Sequence, residues 1–507
     1  MGHVEVAVTK ECERHPATRL STGCRVLSIM LVFGLLVMGM AASTGKEKLA
    51  QAPSGKPAPA ALANQANGAY FAADNATTSA SLAGHSATGL HAAFVGFGQD
   101  NQDTLYYARC MRDCTEDGGW ASVELRLPAA VKVQIALTPS GQPRILVVGS
   151  SIEFADASDH YFAECDRSCL DASNWKVGRI VSTLDSLSST QRARLPERNF
   201  ALDSEGRPRF VVADTISPAG PAHYGSFYLS CDVTCTEPGH WTETNLANQY
   251  GAETESFIYP VLALGPNGSA HLLASVHAFD TDGANLKDGL YYYECPANCA
   301  QRSQWQRTRI IFQGSGSEPN PTWSLAITSD GRPRAALFTG QGVDAEGLDQ
   351  ELLYIYCQET CTSKGGANWF GYVIGVGTGV GESPELKLDS RNMPHVAYTT
   401  DVFELGYTTC EFRCEDQDDA AWSAHVGEMA QGASADRPRA SPSSCEGQLL
   451  HAMSPSLVVS HVSPLIAYDI SIEGNCPSKA DDEITQRYEL WRGARVVQPD
   501  LTRPRPL

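Results

Sequence analysis

The chain has 507 residues, 42% of them hydrophobic, with 44 Gly, 28 Pro and 16 Cys, and its 38 Lys and Arg against 58 Asp and Glu leave a formal charge of -20. That acidity argues against a nucleic-acid partner, which needs clustered Lys and Arg to displace counterions, and against anionic lipid for the same reason. The Gly and Pro content argues against a long-helix protein and favours short strands joined by turns, with enough apolar residues for a packed core.

Near the N-terminus, Val26–Ala42 is an uncharged apolar run preceded by Lys10, Arg14, Arg19 and Arg25 and followed by Ser43. Residues 1–43 therefore read as a secretory signal, with an uncleaved membrane anchor as the alternative, since the run is at the lower edge of a spanning length. Cys24 precedes the run, so a lipid-modified Cys at the cleavage point is not supported. Residues 44–78 are rich in Ala, Pro and Gly and read as a linker. The expected location is secreted, periplasmic or at the cell surface.

From 79 to 498 one pattern recurs: Cys, three residues, Cys, then Trp. The copies are Cys110/Cys114/Trp120, Cys165/Cys169/Trp175, Cys231/Cys235/Trp241, Cys295/Cys299/Trp305, Cys357/Cys361/Trp369 and Cys410/Cys414/Trp422. Upstream of most pairs lies a turn followed by an apolar run, as in PSGQPRILVVG from Pro139, DSEGRPRFVVAD from Asp203 and SDGRPRAALFTG from Ser329. A seventh unit, SLVVSHVSPLIAYDI followed by RYELWRGARVV, keeps the strands without the Cys pair, as terminal repeats often differ. Residues 499–507 form a tail.

Each unit reads as strand A, a turn, strand B, a variable loop, strand C ending at the first Cys, a short Cys loop, and strand D starting near Trp. The predicted fold is all-β: a β-propeller of seven four-stranded antiparallel blades, six of them with a local Cys-x3-Cys disulfide. Six or eight blades are the alternatives if a terminal unit is miscounted.

Sixteen cysteines behind an export signal are disulfide material. A Cys-x3-Cys spacing across a hairpin brings the Cα atoms within bonding range, and Cys445 and Cys476 in the seventh unit are expected to pair with each other. Metal binding would need two such pairs to converge, which radiating blades prevent.

Residues 389–398 (DSRNMPHVAY) and 104–110 (TLYYARC) resemble bacterial secreted propeller proteins with D-x-x-G-x-P-H-x-A-Y and L-x-Y-A repeats. More distantly the layout resembles sialidase-type propellers, although their S-x-D-x-G-x-T-W turn is absent and the disulfide loop with its Trp stands in that place. The resemblance implies the propeller fold and leaves sialidase activity without its motif.

One residue recurs at the start of strand B: His91, Arg144, Arg209, His271, Arg334 or His395. An Arg cluster at the axis would suit a carboxylate, but repeat-equivalent residues beside a turn more simply pack it. The B–C loops are acidic, and Asp280, Asp282, Asn285 and Asp288 around Gly283 partly match a calcium loop, with a solvated polar loop as the other reading. No other cofactor is indicated. Gly-x-Ser-x-Gly, His-Glu-x-x-His and phosphate-loop motifs are absent. The favoured function is an exported binding or scaffold module for an extracellular protein or glycan, touching membrane only through the N-terminal segment. The alternative is a sialidase-like or other carbohydrate-active hydrolase or lyase with its site on the B–C face.

Overall fold

The computed structural model describes the chain from Gly68 onward except for 73–78, 99–102, 152–156, 185–197, 217–221, 278–288, 313–321, 339–350, 377–381, 400–404, 427–445, 460–463, 500–507 and single or paired positions at 117, 248, 251–252, 364–365, 417–418 and 479–480. The signal or anchor segment, Cys445 and the calcium-like residues Asp280, Asp282, Asn285 and Asp288 lie outside the described residues.

Seven four-stranded antiparallel blades form the propeller, and among the described residues the only helical elements are three single 3-10 turns. Strands A to D of the first blade are Ala80–His85, Gly89–Phe97, Asp103–Cys110 and Trp120–Pro128. The second has Ala130–Leu137, Pro143–Ser150, Ala157–Glu164 and Lys176–Leu184. The third has Phe200–Leu202, Pro208–Ile216, Ala222–Cys231 and Trp241–Asn245. The fourth has Ser256–Leu264, Ala270–His277, Gly289–Cys295 and Gln306–Phe312. Thr322–Ile327, Pro333–Phe338, Glu351–Cys357 and Trp369–Val376 make the fifth, and Glu382–Leu388, Pro394–Thr399, Leu405–Cys410 and Trp422–Val426 the sixth.

The seventh blade is composite. Glu446–Val459, Pro464–Ser478 and Asp481–Val497 supply strands A to C, and Gly68–Ala72 from the other end of the chain supplies strand D, pairing Gly68 with Val497 and Ala69 with Val496. Within the segment read as a linker, a short strand thus closes the ring. Its composition gave no warning, because five residues pairing along one edge need no alternation of their own.

The core is divided among the blade junctions, as expected when each sheet buries both faces against its neighbours. Tyr107, Leu105 and Val95 of the first blade pack with Val133, Ile145 and Val147 of the second, and Ala397, Leu405 and Tyr407 of the sixth pack with Leu457, Ile466 and Tyr468 of the seventh. The turns between strands A and B are closed by their first residue. Asp203 Oδ1 accepts from the backbone N–H of Glu205 and of Arg207, and Asp389 Oδ1 does the same for Arg391 and Met393. Thr138 and Thr328 take the same place in the second and fifth blades, their Oγ1 atoms accepting the N–H groups of Gln142 and Arg332, so Asp and Thr recur there.

Candidate functional site

The six loops between strands C and D share one plan. Disulfides join Cys110 to Cys114, Cys165 to Cys169, Cys231 to Cys235, Cys295 to Cys299, Cys357 to Cys361 and Cys410 to Cys414, with Cα atoms 5.7 to 5.8 Å apart. The residue before the second Cys is left-handed in every copy: Asp113, Ser168, Thr234, Asn298, Thr360 and Arg413 have φ between 49° and 56°. None is Gly, so each loop carries a local backbone cost.

Trp completes the clasp. Its indole N–H donates to the carbonyl of the second Cys, at 2.9 Å for Trp120, 2.7 Å for Trp175 and 2.8 Å for Trp241, Trp305 and Trp369. In the sixth blade Tyr372 of the fifth intervenes: Trp422 donates to its hydroxyl, which donates to the Cys414 carbonyl, both at 2.7 Å. The rings also reach sideways. From the second blade to the sixth, the Trp meets the aromatic side chain three residues before the first Cys of the preceding blade, Trp175 on Tyr107, Trp241 on Phe162, Trp305 on Tyr228, Trp369 on Tyr292 and Trp422 on Tyr354, with centroids 4.9 to 5.9 Å apart. The Trp therefore anchors strand D and joins neighbouring blades at once.

The recurring Arg or His of strand B points into this clasp. Arg144, Arg209 and Arg334 donate through Nη1 to the carbonyls of Cys165, Cys231 and Cys357, at 3.0, 2.6 and 2.9 Å. Each also meets an acid: Arg144 Asp166, Arg209 Asp203 and Asp232, and Arg334 Glu415 of the next blade. In the other blades the imidazole bonds a strand C tyrosine, His91 Nδ1 at 2.7 Å from Tyr107 Oη, His271 at 2.6 Å from Tyr292 and His395 at 2.5 Å from Tyr407. Burial is the main cause holding His91 and His271 at pKa values of about 4, so both rings are neutral at ordinary pH. These six residues fasten strand B to strand C and the Cys loop, and they lie apart from the axis.

Along the axis, hydrogen bonds and one aromatic contact tie each innermost strand to the next. Ser79 and Ser81 accept from the N–H groups of Val133 and Ile135, and the Gln134 amide bonds both the N–H and the carbonyl of Phe200. The Leu262 N–H donates to the Arg198 carbonyl at 2.8 Å, Thr322 and Ser324 accept from Ser383 and Leu386, Glu385 Oε2 from Leu457, and Ser456 from Leu82. Blades four and five meet through Tyr259 and Trp323 rings 6.2 Å apart.

These strands enclose a cavity of about 330 Å³ to which all seven blades contribute. Among the described residues its charged side chains are Arg198, Glu385 and Lys387. Arg198 precedes strand A of the third blade yet donates through Nη2 to the carbonyls of Ser383, at 3.1 Å, and Pro455, at 3.4 Å, on blades six and seven. Sequence reasoning missed it, because neither partner is near it along the chain and no repeat carries an equivalent. Among the described residues no group of three or more His, Cys, Asp and Glu side chains could hold a metal ion.

No protein-family model and no curated protein matches the chain. Solved structures do. A protein of unknown function from Dyadobacter fermentans is similar at 12% identity and a TM-score of 0.40, covering 86% of this chain and 99% of that one. A polysaccharide lyase described as an ulvan lyase is similar at 12% identity and 0.41, covering 84% and 96%. The NanB sialidase of Streptococcus pneumoniae is similar at 8% identity and 0.37, covering 85% and 69%.

Proposed function

We propose that this chain is an exported binding module that recognises an extracellular protein or glycan through the face formed by its B–C loops and D–A connections. The contrast between its two faces supports the reading. On one, six disulfide clasps repeat a single geometry, with the same left-handed residue and, in five of them, the same direct Trp-to-Cys bond. On the other, the intervals between strands B and C differ from blade to blade, from 217–221 and 400–404 to 278–288 and 339–350. A rigid scaffold with unequal loops on one side is the arrangement by which loops acquire specificity without disturbing the core.

The test is a panel of immobilised glycans and extracellular proteins probed with the full chain, with product formation from the glycans followed in parallel. Binding without turnover is expected, and it should fall when 278–288 or 339–350 is replaced by the short connection of the sixth blade while the melting temperature holds. Turnover of a glycan would instead establish the hydrolase or lyase reading. Binding insensitive to both loop replacements would place recognition elsewhere.

A further inference from the structure

The Cys loops pack sideways in one manner that fails at one place. At four junctions the residue three positions after the Trp meets a carbonyl of the next blade's loop. Thr244 and Thr308 donate from Oγ1 to the carbonyls of Ala300, at 2.9 Å, and Ser363, at 2.8 Å, and Tyr372 donates to the Cys414 carbonyl at 2.7 Å. Gly178 takes the position between the second and third blades, where any Cβ would run into the Thr236 carbonyl. Between the first and second blades the position is Val123, whose side chain has no donor. The residue after the second Cys, Thr236 and Ala300 in the third and fourth blades, is here Leu170.

A groove of about 540 Å³ opens at this junction, lined by Met111 from the first loop and Leu170 from the second, 56% and 43% exposed. Single exposed hydrophobic residues are ordinary on any surface, but two from different blades lining one groove form an apolar contact site. Met, unbranched and polarisable, adapts to the shape of whatever enters. The groove's own charges balance, Asp113 and Glu116 against Arg109 and Arg112, and Arg109 is turned back onto its blade with Nε donating to the Thr88 carbonyl at 3.0 Å. The face around it does not balance. Between the first Cys and the Trp of the six loops, among the described residues, ten exposed Asp and Glu stand against three exposed Arg, Arg112, Arg167 and Arg413. That field draws in a cationic partner and acts mainly on the rate of association, whereas burial of apolar area in the groove slows dissociation.

We infer that the groove between the first two Cys loops is a docking site for a basic extracellular protein, which inserts one aliphatic side chain between Met111 and Leu170 and carries Lys or Arg beside it. Asp113 and Glu116 are the carboxylates nearest those flanking cations. The site lies in the Cys loops, apart from the B–C loops, so its loss and the loss of recognition through the B–C loops are separate results.

The probe is a library of displayed random peptides, selected at low salt on the full chain and in parallel on its Met111→Ser/Leu170→Ser variant. Both side chains are exposed, so the substitutions remove contact area without touching the core. Peptides enriched on the wild type alone are expected to carry Leu, Ile, Val or Met beside Lys or Arg. One of them, synthesised and titrated by heat of binding, should lose about tenfold in affinity to either single variant. Its affinity should also fall as salt screens the face, and should be unchanged when 278–288 or 339–350 is replaced. Enriched peptides that bind the double variant equally well, or that lack the aliphatic residue or its basic neighbours, overturn the site. Failure to recover any peptide selective for the wild-type groove overturns it as well.

Discussion

Replacing Trp305 by Ala should cost this propeller more than removing the disulfide beside it. The indole is buried, donates to the Cys299 carbonyl at 2.8 Å and packs edge-on against Tyr228 of the third blade at 5.1 Å. Truncating a buried Trp to Ala typically costs about 3 to 5 kcal/mol, of which an aromatic pair accounts for about 0.5 to 1.5. The Cys295–Cys299 bond closes a loop of only five residues, counting 295 through 299. Chain-entropy reasoning gives such a loop about 2 kcal/mol. Urea unfolding under non-reducing conditions, comparing Trp305→Ala with Cys295→Ser/Cys299→Ser, should therefore rank the Trp variant as the less stable. Hydrogen exchange adds a spatial test. Because the ring rests on the third blade, Trp305→Ala should raise exchange in Ala222–Cys231 as well as in Gln306–Phe312, and by more than the Cys variant, whose loop reaches the third blade through the Thr244 hydroxyl on the Ala300 carbonyl. A larger loss from the Cys pair, or exchange confined to the fourth blade in the Trp variant, would refute the clasp as a joint between blades.

The left-handed loop residues offer a gain of stability: Thr234→Gly, at φ 54° and β-branched, should raise stability by about 0.5 to 1 kcal/mol, read as an increase in melting temperature. His91 and His271 set an acid limit. Their folded pKa of about 4 lies below the ordinary 6.5, so the folded state binds fewer protons; their stabilisation is complete above pH 6.5 and lost progressively as pH falls toward 4. Melting temperature followed from pH 7 to 4 should fall less steeply in His271→Gln than in wild type. The closing strand predicts a sharp truncation boundary: a chain beginning at Gly68 should melt like the full chain, whereas one beginning at residue 73 should melt lower and lose exchange protection at Ala494–Val497.

The repeat, the seven blades, the strand order within each and the six disulfides were legible in the sequence because all are short-range. A Cys pair four positions apart, a Gly or Asp turn and an apolar run fix a hairpin whatever lies beyond it. The Trp was legible as an anchor for strand D, and the Arg or His of strand B as a packing residue beside its turn. Tertiary structure decided what each touches across a blade boundary. Trp305 finds Tyr228, and Arg334 finds Glu415, only because consecutive blades stack in a ring. The same ring brings Gly68–Ala72 against the last strand and Arg198 to carbonyls 185 and 257 residues away. Such contacts leave no period in the chain, since closure, not local propensity, selects the partner. Composition and charge pattern described the acidic loops, but the buried Arg198 facing Glu385 on the axis emerged only when seven innermost strands, each ordinary by itself, were set around one cavity.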